Sequence, residues 1–132
     1  MRDRNDIPGT AREWLDRARG KLALACVPLP PDGFYEDLCF SAQQAAELAI
    51  KAVYQHKKWT FDYVHDLGRL LDGLERKGLT LPDKVQDADQ LSVYASQTRY
   101  PGIYARVTKN EYEEAFKVAE SVVLWAETVV LR

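Results

Sequence analysis

Residues 34–56 read FYEDLCFSAQQAAELAIKAVYQH, and this stretch decides the fold class. Its apolar side chains recur at the spacing of one helix face. The members of that face are Leu38, Ala42, Ala45, Ala46, Ala49 and Val53. Because most of them are small, a neighbouring helix can approach closely. The stretch therefore predicts a long helix that packs tightly against a second one.

The rest of the chain has the same helical period, with no convincing period-two alternation and no internal repeat. The first expected helix starts after the N-cap Thr10 and ends before Pro28, and the second runs from about Phe34 to about His56. The third runs from about Asp66 to about Lys77, and the fourth from Leu81-Pro82-Asp83 to Tyr100-Pro101-Gly102. The last starts after the N-cap Thr108. We predict an all-α fold, an antiparallel up-and-down four-helix bundle with one short additional helix. We expect residues 1–132 to form one domain, with a flexible segment at residues 1–9.

Composition narrows the class of protein. Of 132 residues, 46% are hydrophobic and 29% charged, which favours a globular domain over a disordered chain. The formal net charge of −2 gives no overall basic field, so non-specific binding of long nucleic acid is not indicated. A local basic site stays compatible with this balance.

The cysteine pattern predicts neither a metal site nor a disulfide framework. Cys26 and Cys39 have neither the number nor the spacing for either, and we interpret them as reduced, small apolar residues. No apolar run reaches the length of a signal peptide or a membrane span. We therefore expect a cytoplasmic protein without a membrane partner, a metal or a cofactor.

The most distinctive chemistry lies in residues 98–104, TRYPGIY. Arg99 stands at the end of the fourth predicted helix, before a Tyr-Pro-Gly turn, and Tyr104 follows five positions later. A guanidinium and a hydrogen-bonding ring on a rigid turn suit a phosphate-bearing ligand. Tyrosine, with a pKa near about 10, transfers protons poorly at neutral pH, where histidine does so well.

Four segments, taken in order and at their separations, resemble the HEPN domain family (higher eukaryotes and prokaryotes nucleotide-binding), in its small bacterial and archaeal type associated with nucleotidyltransferases. They are FSAQQAAELAIKA at 40–52, Val64-His65-Asp66-Leu67, Thr98-Arg99-Tyr100-Pro101 and the Glu- and Ala-rich last helix. The opening AREWL at 11–15 is similar to the family's first helix as well. The resemblance extends from about Thr10 to the C-terminus.

The resemblance implies a four-helix bundle, commonly a homodimer, often in complex with a small nucleotidyltransferase. Many members are metal-independent ribonucleases that act as toxins or defence effectors. Their signature is Arg, four to six residues, then His, in a cleft at the dimer interface. Here the arginine position falls on Arg99 and the histidine position on Tyr104. The departure at the catalytic position favours binding over cleavage.

The two residues at the signature positions, Arg99 and Tyr104, each have two interpretations. Arg99 either binds a phosphate or forms a structural ion pair, for example with Glu47. Tyr104 either donates a hydrogen bond to a ribose or phosphate, or serves as a core or dimer-surface aromatic. Arg106 supplies a possible second cation, which would complete an Arg99-Tyr104-Arg106 binding triad.

Further candidates lie in the second helix and the loop after it. Gln43, Glu47 and Lys51 share one helix face, which either lines the cleft opposite Arg99 or is a solvated face with a Glu47–Lys51 pair. His65 is either a surrogate base or, the more common role, a cap of the third helix.

Aromatic residues cluster in the loop before the third helix: Trp59, Phe61 and Tyr63. If exposed, they would form a surface for a partner or for stacked bases. If buried, they hold the loop against the bundle, and we favour this second arrangement.

Three functions follow, in order of preference. The first is a HEPN protein that partners a small nucleotidyltransferase in a toxin–antitoxin-like or defence module and binds nucleotide or RNA with weak or no ribonuclease activity. The second is a non-catalytic helical module for interaction or dimerisation. The third is an active metal-independent ribonuclease toxin in which Tyr104 or His65 performs proton transfer.

Overall fold

The structure is a computed structural model that describes residues 9–61, 64–95 and 105–131. Its elements are α1 (Ala11–Ala25), α2 (Tyr35–Lys57), α3 (Leu67–Arg76), the single-turn α4 (Asp83–Gln86), a 3-10 helix (Asp87–Ala95) and α5 (Lys109–Val130). Within these ranges there is no strand, and the predicted all-α fold is confirmed. No helix in the described ranges is long and apolar enough to cross a membrane.

Contacts at the helix ends show that α1 runs antiparallel to α2 and α5. Gln55, near the end of α2, donates a 2.7 Å hydrogen bond to the carbonyl of Gly9, just before α1. Tyr112, near the start of α5, donates a 2.6 Å hydrogen bond to the carbonyl of Ala25, the last residue of α1. The up-and-down arrangement of these helices follows.

The 3-10 helix returns alongside α2 and α5. Tyr94, near its end, lies close enough to Cys39, near the start of α2, for each to affect the pKa of the other, so these two elements are also antiparallel. The short α3 bridges the long second helix and this returning segment. It is the additional helix that the sequence predicts.

The start of each terminal helix is fixed by the residues that the sequence indicates. Thr108 accepts a hydrogen bond from the backbone N–H of Glu111, whose side chain accepts from the N–H of Thr108, a complete capping box. Thr10 likewise accepts from the backbone N–H of Glu13. The Glu13 carboxylate, however, accepts from the N–H of Gly9, one residue before the N-cap.

The prediction of one continuous fourth α-helix is wrong over residues 87–95, because only one α-turn forms before the chain tightens into the 3-10 helix. The predicted end at Tyr100-Pro101-Gly102 lies outside the described residues. The three-residue period of the 3-10 helix places Ala88 and Leu91, both buried, on the same side. Ser92 accepts a 2.9 Å hydrogen bond from the N–H of Leu67, the first residue of α3. This burial and this tertiary hydrogen bond favour the tighter helix.

The core is built around α2. Every member of its predicted apolar stripe is buried, and α1, α5 and the 3-10 helix all pack against it. The largest apolar side chains that fill the space around it without solvent exposure are Leu15, Leu67, Leu74 and Val122. The small side chains of α2 allow this close approach from several sides.

The aromatic loop after α2 is held against the bundle. Phe61 is half-buried and meets Trp14 of α1 edge to face, with ring centroids 5.6 Å apart. Trp59 is also half-buried, and the ammonium of Lys77 lies 5.5 Å from its ring centroid. The predicted locking role is confirmed for Trp59 and Phe61, whereas Tyr63 lies outside the described residues.

Tyr54 ties α2 to α3. Its buried hydroxyl donates a 2.5 Å hydrogen bond to the carbonyl of Leu70. A Cβ atom added at Gly73, one turn later, would collide with this hydroxyl. Because the hydroxyl is the end of a rigid ring within the core, it has little room to retreat.

Two glycine substitutions should therefore have opposite effects. Gly20 lies in α1 with nothing within 4 Å of an added Cβ, so Gly20→Ala should stabilise the fold by about 0.5–1 kcal/mol through helix propensity. Gly73→Ala should instead lower the free energy of unfolding. Urea titration followed by circular dichroism measures both. A stabilising Gly73→Ala would contradict the close contact with Tyr54.

The two cysteines differ in environment. Both are free, as expected. Cys39 is buried, and burial, together with the nearby carboxylates of Glu36 and Glu111, raises its pKa to about 12. Cys26 is exposed and lies just beyond the end of α1, so Cys39 is part of the core and Cys26 is not.

The thiols should therefore differ sharply in reactivity. A disulfide reagent at neutral pH should modify Cys26 quickly and Cys39 only after denaturation, since the thiolate is the reactive form. The measurement is the absorbance of the thiol that the reagent releases when it reacts with a cysteine, and Cys26→Ser is the control. Fast labelling of native Cys26→Ser protein would show that Cys39 is accessible.

Candidate functional site

A polar cluster lies inside the bundle around Glu47, whose residue is 8% exposed. Gln43 donates a 2.9 Å hydrogen bond from Nε2 to Glu47 Oε1, and Lys51 donates a 2.8 Å hydrogen bond from Nζ to Oε2. The four-residue spacing on α2 aligns these side chains on one face. The Glu47–Lys51 pair is confirmed, but the alternative of a solvated face is wrong because all three residues are buried.

His65 completes the cluster from the loop before α3. Its Nδ1 lies 2.9 Å from Glu47 Oε1 and 3.2 Å from Oε2, while its side chain is 76% exposed. The N-cap of α3 is Asp66, which accepts a 3.2 Å hydrogen bond from the backbone N–H of Arg69. The predicted capping role of His65 is therefore wrong, because its neighbour performs that role.

The Glu47 carboxyl group is ionised despite its burial. Desolvation by itself would raise its pKa, but hydrogen bonds from Lys51, His65 and Gln43 and the charge of Lys51 outweigh that effect. The pKa of Glu47 consequently lies below its ordinary value. An ionised carboxylate only accepts hydrogen bonds, so the Nδ1 atom of His65 carries the proton that lies between them.

The same cluster joins the aromatic loop to α2. The Lys51 ammonium that pairs with Glu47 also lies 5.4 Å from the ring centroid of Phe61. Lys51 thus lies beneath the site, between the carboxylate and the loop. It compensates the charge of Glu47 and contacts the ring of Phe61.

A cleft of about 340 Å³ opens beside Gln43, Glu47 and His65. Four parts of the chain meet there: α1, α2, the loop before α3 and the end of the 3-10 helix. The remaining lining residues are Arg17, Lys21, Phe40, Gln44, Leu48 and Ala95. The cleft therefore combines a buried polar floor with basic residues of α1.

The basic residues at this cleft differ from the other cations of α1. Arg12 and Arg19 both pair with Asp16, at 3.9 and 3.5 Å. Arg17 and Lys21, one helical turn apart, have no ion-pair partner in the part of the chain that the structure describes. Like charges at this spacing repel each other, and a bound anion would relieve the repulsion.

Sequence reasoning did not single out Arg17 and Lys21. Cations are frequent along α1, so their number alone does not mark these two. The like charges four residues apart are a weak signal, because Glu13 lies one turn before Arg17 and its spacing suggests an ion pair that the structure does not form. Their position beside α2, however, is a property of the assembled bundle.

The structure brings only some of the predicted site residues together. Gln43, Glu47 and His65 line one cleft, with Lys51 beneath it. Arg106 does not line it, because its guanidinium carbon lies 4.6 Å from the ring centroid of Phe34, the N-cap of α2.

The residues at the two positions of the family signature lie outside the described residues. Arg99 and Tyr104 both fall between residues 95 and 105, so their roles stay predictions, as does the Arg99-Tyr104-Arg106 triad. The last residue described before that gap is Ala95, and Ala95 lines the cleft.

Two other cavities differ in charge. One, of about 400 Å³ between the 3-10 helix and α5, is lined by the carboxylates of Asp87, Glu111 and Glu114, which disfavour a phosphate. The other, of about 440 Å³, lies beside α3 and is lined by Arg69, Arg76 and Lys77. Because the second cavity is also lined by cations, any binding experiment has to separate it from the cleft.

Replacing the central carboxylate should destabilise the fold in a pH-dependent manner. Glu47→Gln keeps only one of the two side-chain oxygens that accept hydrogen bonds from Gln43, Lys51 and His65. It also leaves Lys51 without its counter-charge. Together these changes should lower the free energy of unfolding by about 3 kcal/mol. Because folding lowers the pKa of Glu47 from 4.5, its stabilisation is present above that pH and is lost as the pH falls through the folded-state pKa. The difference between wild type and Glu47→Gln in urea should shrink from pH 7 to pH 3.

The control for this prediction is the double variant. Adding Lys51→Met to Glu47→Gln removes the orphaned ammonium and should recover part of the lost stability. Equal destabilisation at both pH values, or purely additive effects, would contradict the coupled network.

Comparison with known proteins places this geometry in a family. Residues 11–129 match the HEPN domain. The chain is similar to the crystal structure of TT1696 from Thermus thermophilus, with 31% identity, coverage of 92% of this chain and 98% of that one, and a TM-score of 0.79.

A second similar structure is ST0689, described as an archaeal HEPN homologue, with 23% identity, the same coverage of 92% and 98%, and a TM-score of 0.72. At that identity the likeness shows the fold alone. No curated protein matches the chain. Because the HEPN match covers nearly the whole chain, from the start of α1 almost to the end of α5, this protein belongs to the HEPN domain family.

Proposed function

We propose that this HEPN protein binds the phosphate groups of a nucleotide or of single-stranded RNA in the cleft beside Glu47 and His65, with weak or no ribonuclease activity. The observation that carries the proposal is the basic pair of α1. Arg17 and Lys21 have no acidic partner within the described ranges, and both line a cleft with a buried polar floor. Guanidinium and ammonium groups are the usual ligands of phosphate oxygens.

The size and composition of the cleft support a nucleotide-sized ligand. Its volume of about 340 Å³ falls in the range of small-molecule sites. Phe40 and Leu48 supply apolar surface for a base, and Gln44 supplies an amide that both donates and accepts hydrogen bonds. Arg99 follows four residues after Ala95 in the chain, which makes it the proposed third cation.

The expectation of weak or absent cleavage rests on Tyr104. RNA cleavage by the 2′-hydroxyl needs one group that takes a proton and one that gives one. A tyrosine with an ordinary pKa near about 10 does neither efficiently at neutral pH. Binding therefore follows from the cations, whereas fast catalysis has no support at the signature position.

We further propose a homodimer that associates with a small nucleotidyltransferase in a toxin–antitoxin-like or defence module. Membership of the HEPN family is the support for this part. Light scattering of the purified protein tests the dimer. Co-purification with the nucleotidyltransferase encoded beside it, if the neighbouring gene encodes one, tests the complex.

A second candidate function is a non-catalytic interaction module. The observation that favours it lies on α5, where Leu124 is 54% exposed. Leu131 lies two turns further along the same side and is 45% exposed. Exposed leucines on one side are consistent with a protein partner. Loss of complex formation in Leu124→Ser, with RNA binding absent in the wild type, would favour this function.

Binding can be tested with a fluorescent 2′-O-methyl oligoribonucleotide, which cannot be cleaved through its 2′-oxygen. Arg17→Ala and Arg99→Ala should each raise Kd about tenfold, the effect of losing one charge-assisted hydrogen bond. Each should also reduce the slope of log Kd against log salt by about 1. Fluorescence anisotropy at several salt concentrations measures both quantities.

The matched controls remove the same charge elsewhere. Arg12→Ala deletes a guanidinium of α1 that pairs with Asp16 and does not line the cleft, so Kd should change little. Arg76→Ala tests the competing cavity beside α3. If Arg76→Ala weakens binding and Arg17→Ala does not, the proposed location is wrong. If the wild type does not bind at all, the proposed function is wrong.

A further inference from the structure

We propose that Glu47 and His65 form a carboxylate–imidazole pair in which Nε2 of His65 accepts the 2′-hydroxyl proton of an RNA strand held at Arg17 and Lys21. The pair gives the protein a slow, metal-independent cleavage activity that does not depend on Tyr104 as the base. This inference rests on the proposed function, since RNA must first bind in the cleft. It replaces the absent motif histidine with one from a different part of the chain.

The His65 ring is oriented by its contact with the carboxylate. Nδ1 of His65 faces both carboxylate oxygens of Glu47, at 2.9 and 3.2 Å. Because an ionised carboxylate only accepts, Nδ1 is the protonated nitrogen of the neutral ring. The lone pair of a neutral imidazole with a proton on Nδ1 lies on Nε2, on the opposite side of the ring. Nε2 is therefore the basic atom.

The imidazole is accessible to a substrate. The carboxylate is buried, but the His65 side chain is 76% exposed and lines the cleft. A substrate can thus reach Nε2 without displacing the bond to Glu47. A buried carboxylate that orients an accessible imidazole is the arrangement by which hydrolases position a histidine base.

The pair is held rigidly by its neighbours. Glu47 is bonded to Gln43 and to Lys51, so it cannot rotate freely towards solvent. Asp66, next to His65 in the chain, caps α3 and so fixes the backbone that follows His65. Preorganised groups of this kind raise the rate because they need no rearrangement during the reaction.

Charges from three elements surround the ring. From α2 come Glu47 and the compensating Lys51, and from α1 come Arg17 and Lys21 at the same cleft. Asp66 stands at the start of α3, and among the described residues the end of the 3-10 helix contributes the uncharged Ala95. The two cations of α1 can stabilise the negative charge that develops on a phosphodiester.

Cleavage of the RNA strand needs water as its only co-reactant. His65 Nε2 takes the 2′-hydroxyl proton, the 2′-oxygen forms a bond to phosphorus, and the bond from phosphorus to the 5′-oxygen breaks. The leaving 5′-oxygen takes a proton from water, and His65 returns its proton to the hydroxide that remains. The products are a 2′,3′-cyclic phosphate and a 5′-hydroxyl end. Proton donation by water makes the reaction slow.

The experiment uses the full chain and a fluorescent oligoribonucleotide with one 2′-hydroxyl in a 2′-O-methyl background, in the presence of EDTA. We expect slow cleavage at that one position with a cyclic phosphate product. His65→Ala should lower the rate at least about 100-fold, the usual contribution of a general base. His56→Ala is the matched control, because His56 is the other histidine of the chain, is exposed at the end of α2 and does not line the cleft.

Glu47 is a positioning residue and needs a different readout. Glu47→Gln should lower the cleavage rate measured in single turnover at saturating protein, where a change in Kd does not contribute. In addition, nitrogen-15 NMR of the wild type should show the Nδ1–H tautomer of His65, with a mixture of tautomers in Glu47→Gln. If Glu47→Gln does not fold, the tautomer in the wild type and the His65→Ala rate still decide.

The outcomes separate the two proposals. Wild-type protein that binds the 2′-O-methyl strand but does not cleave the substrate, or a His65→Ala variant that cleaves at the wild-type rate, overturns the inference and leaves the binding function intact. A wild-type His65 with its proton on Nε2 also overturns it. Failure to bind the 2′-O-methyl strand overturns the proposed function itself.

Discussion

The buried carboxylate of Glu47 is the constraint on which the polar part of this structure depends. A charge inside a helical bundle is stable only if neighbouring groups replace the water it has lost. Gln43 and Lys51 supply this from one turn on either side, and His65 supplies it from the loop that leads into α3. The need to satisfy one carboxylate thus fixes a helix face and a loop at the same time.

This network is difficult to explain by stability alone. Apolar residues of similar volume would serve a bundle core as well as a buried ion pair does. What the network provides, and apolar residues could not, is a histidine held with one nitrogen bonded and the ring exposed at a cleft. The proposed role of His65 beside Arg17 and Lys21 would explain a polar cluster in an otherwise alanine-rich helix.

Electrostatics then distinguish the surfaces of the bundle. The cavity between the 3-10 helix and α5 is lined by carboxylates. The cleft beside Glu47 is instead lined by Arg17 and Lys21, which have no ion-pair partner among the described residues. A chain with a formal net charge of −2 can therefore still hold a local site for phosphate, because fields within a few ångströms depend on the nearest charges.

The sequence by itself determined α1, α2, α3 and α5, the caps at Thr10 and Thr108, the apolar stripe of α2 and the Glu47–Lys51 pair. These features depend on residues a turn or so apart. Tertiary structure alone decided that the polar face of α2 is buried, that residues 87–95 tighten into a 3-10 helix, and that His65 meets Glu47 across 18 positions. The physical reason is range: periodicity and capping act locally, whereas burial and long-range hydrogen bonds exist only once separate elements pack together.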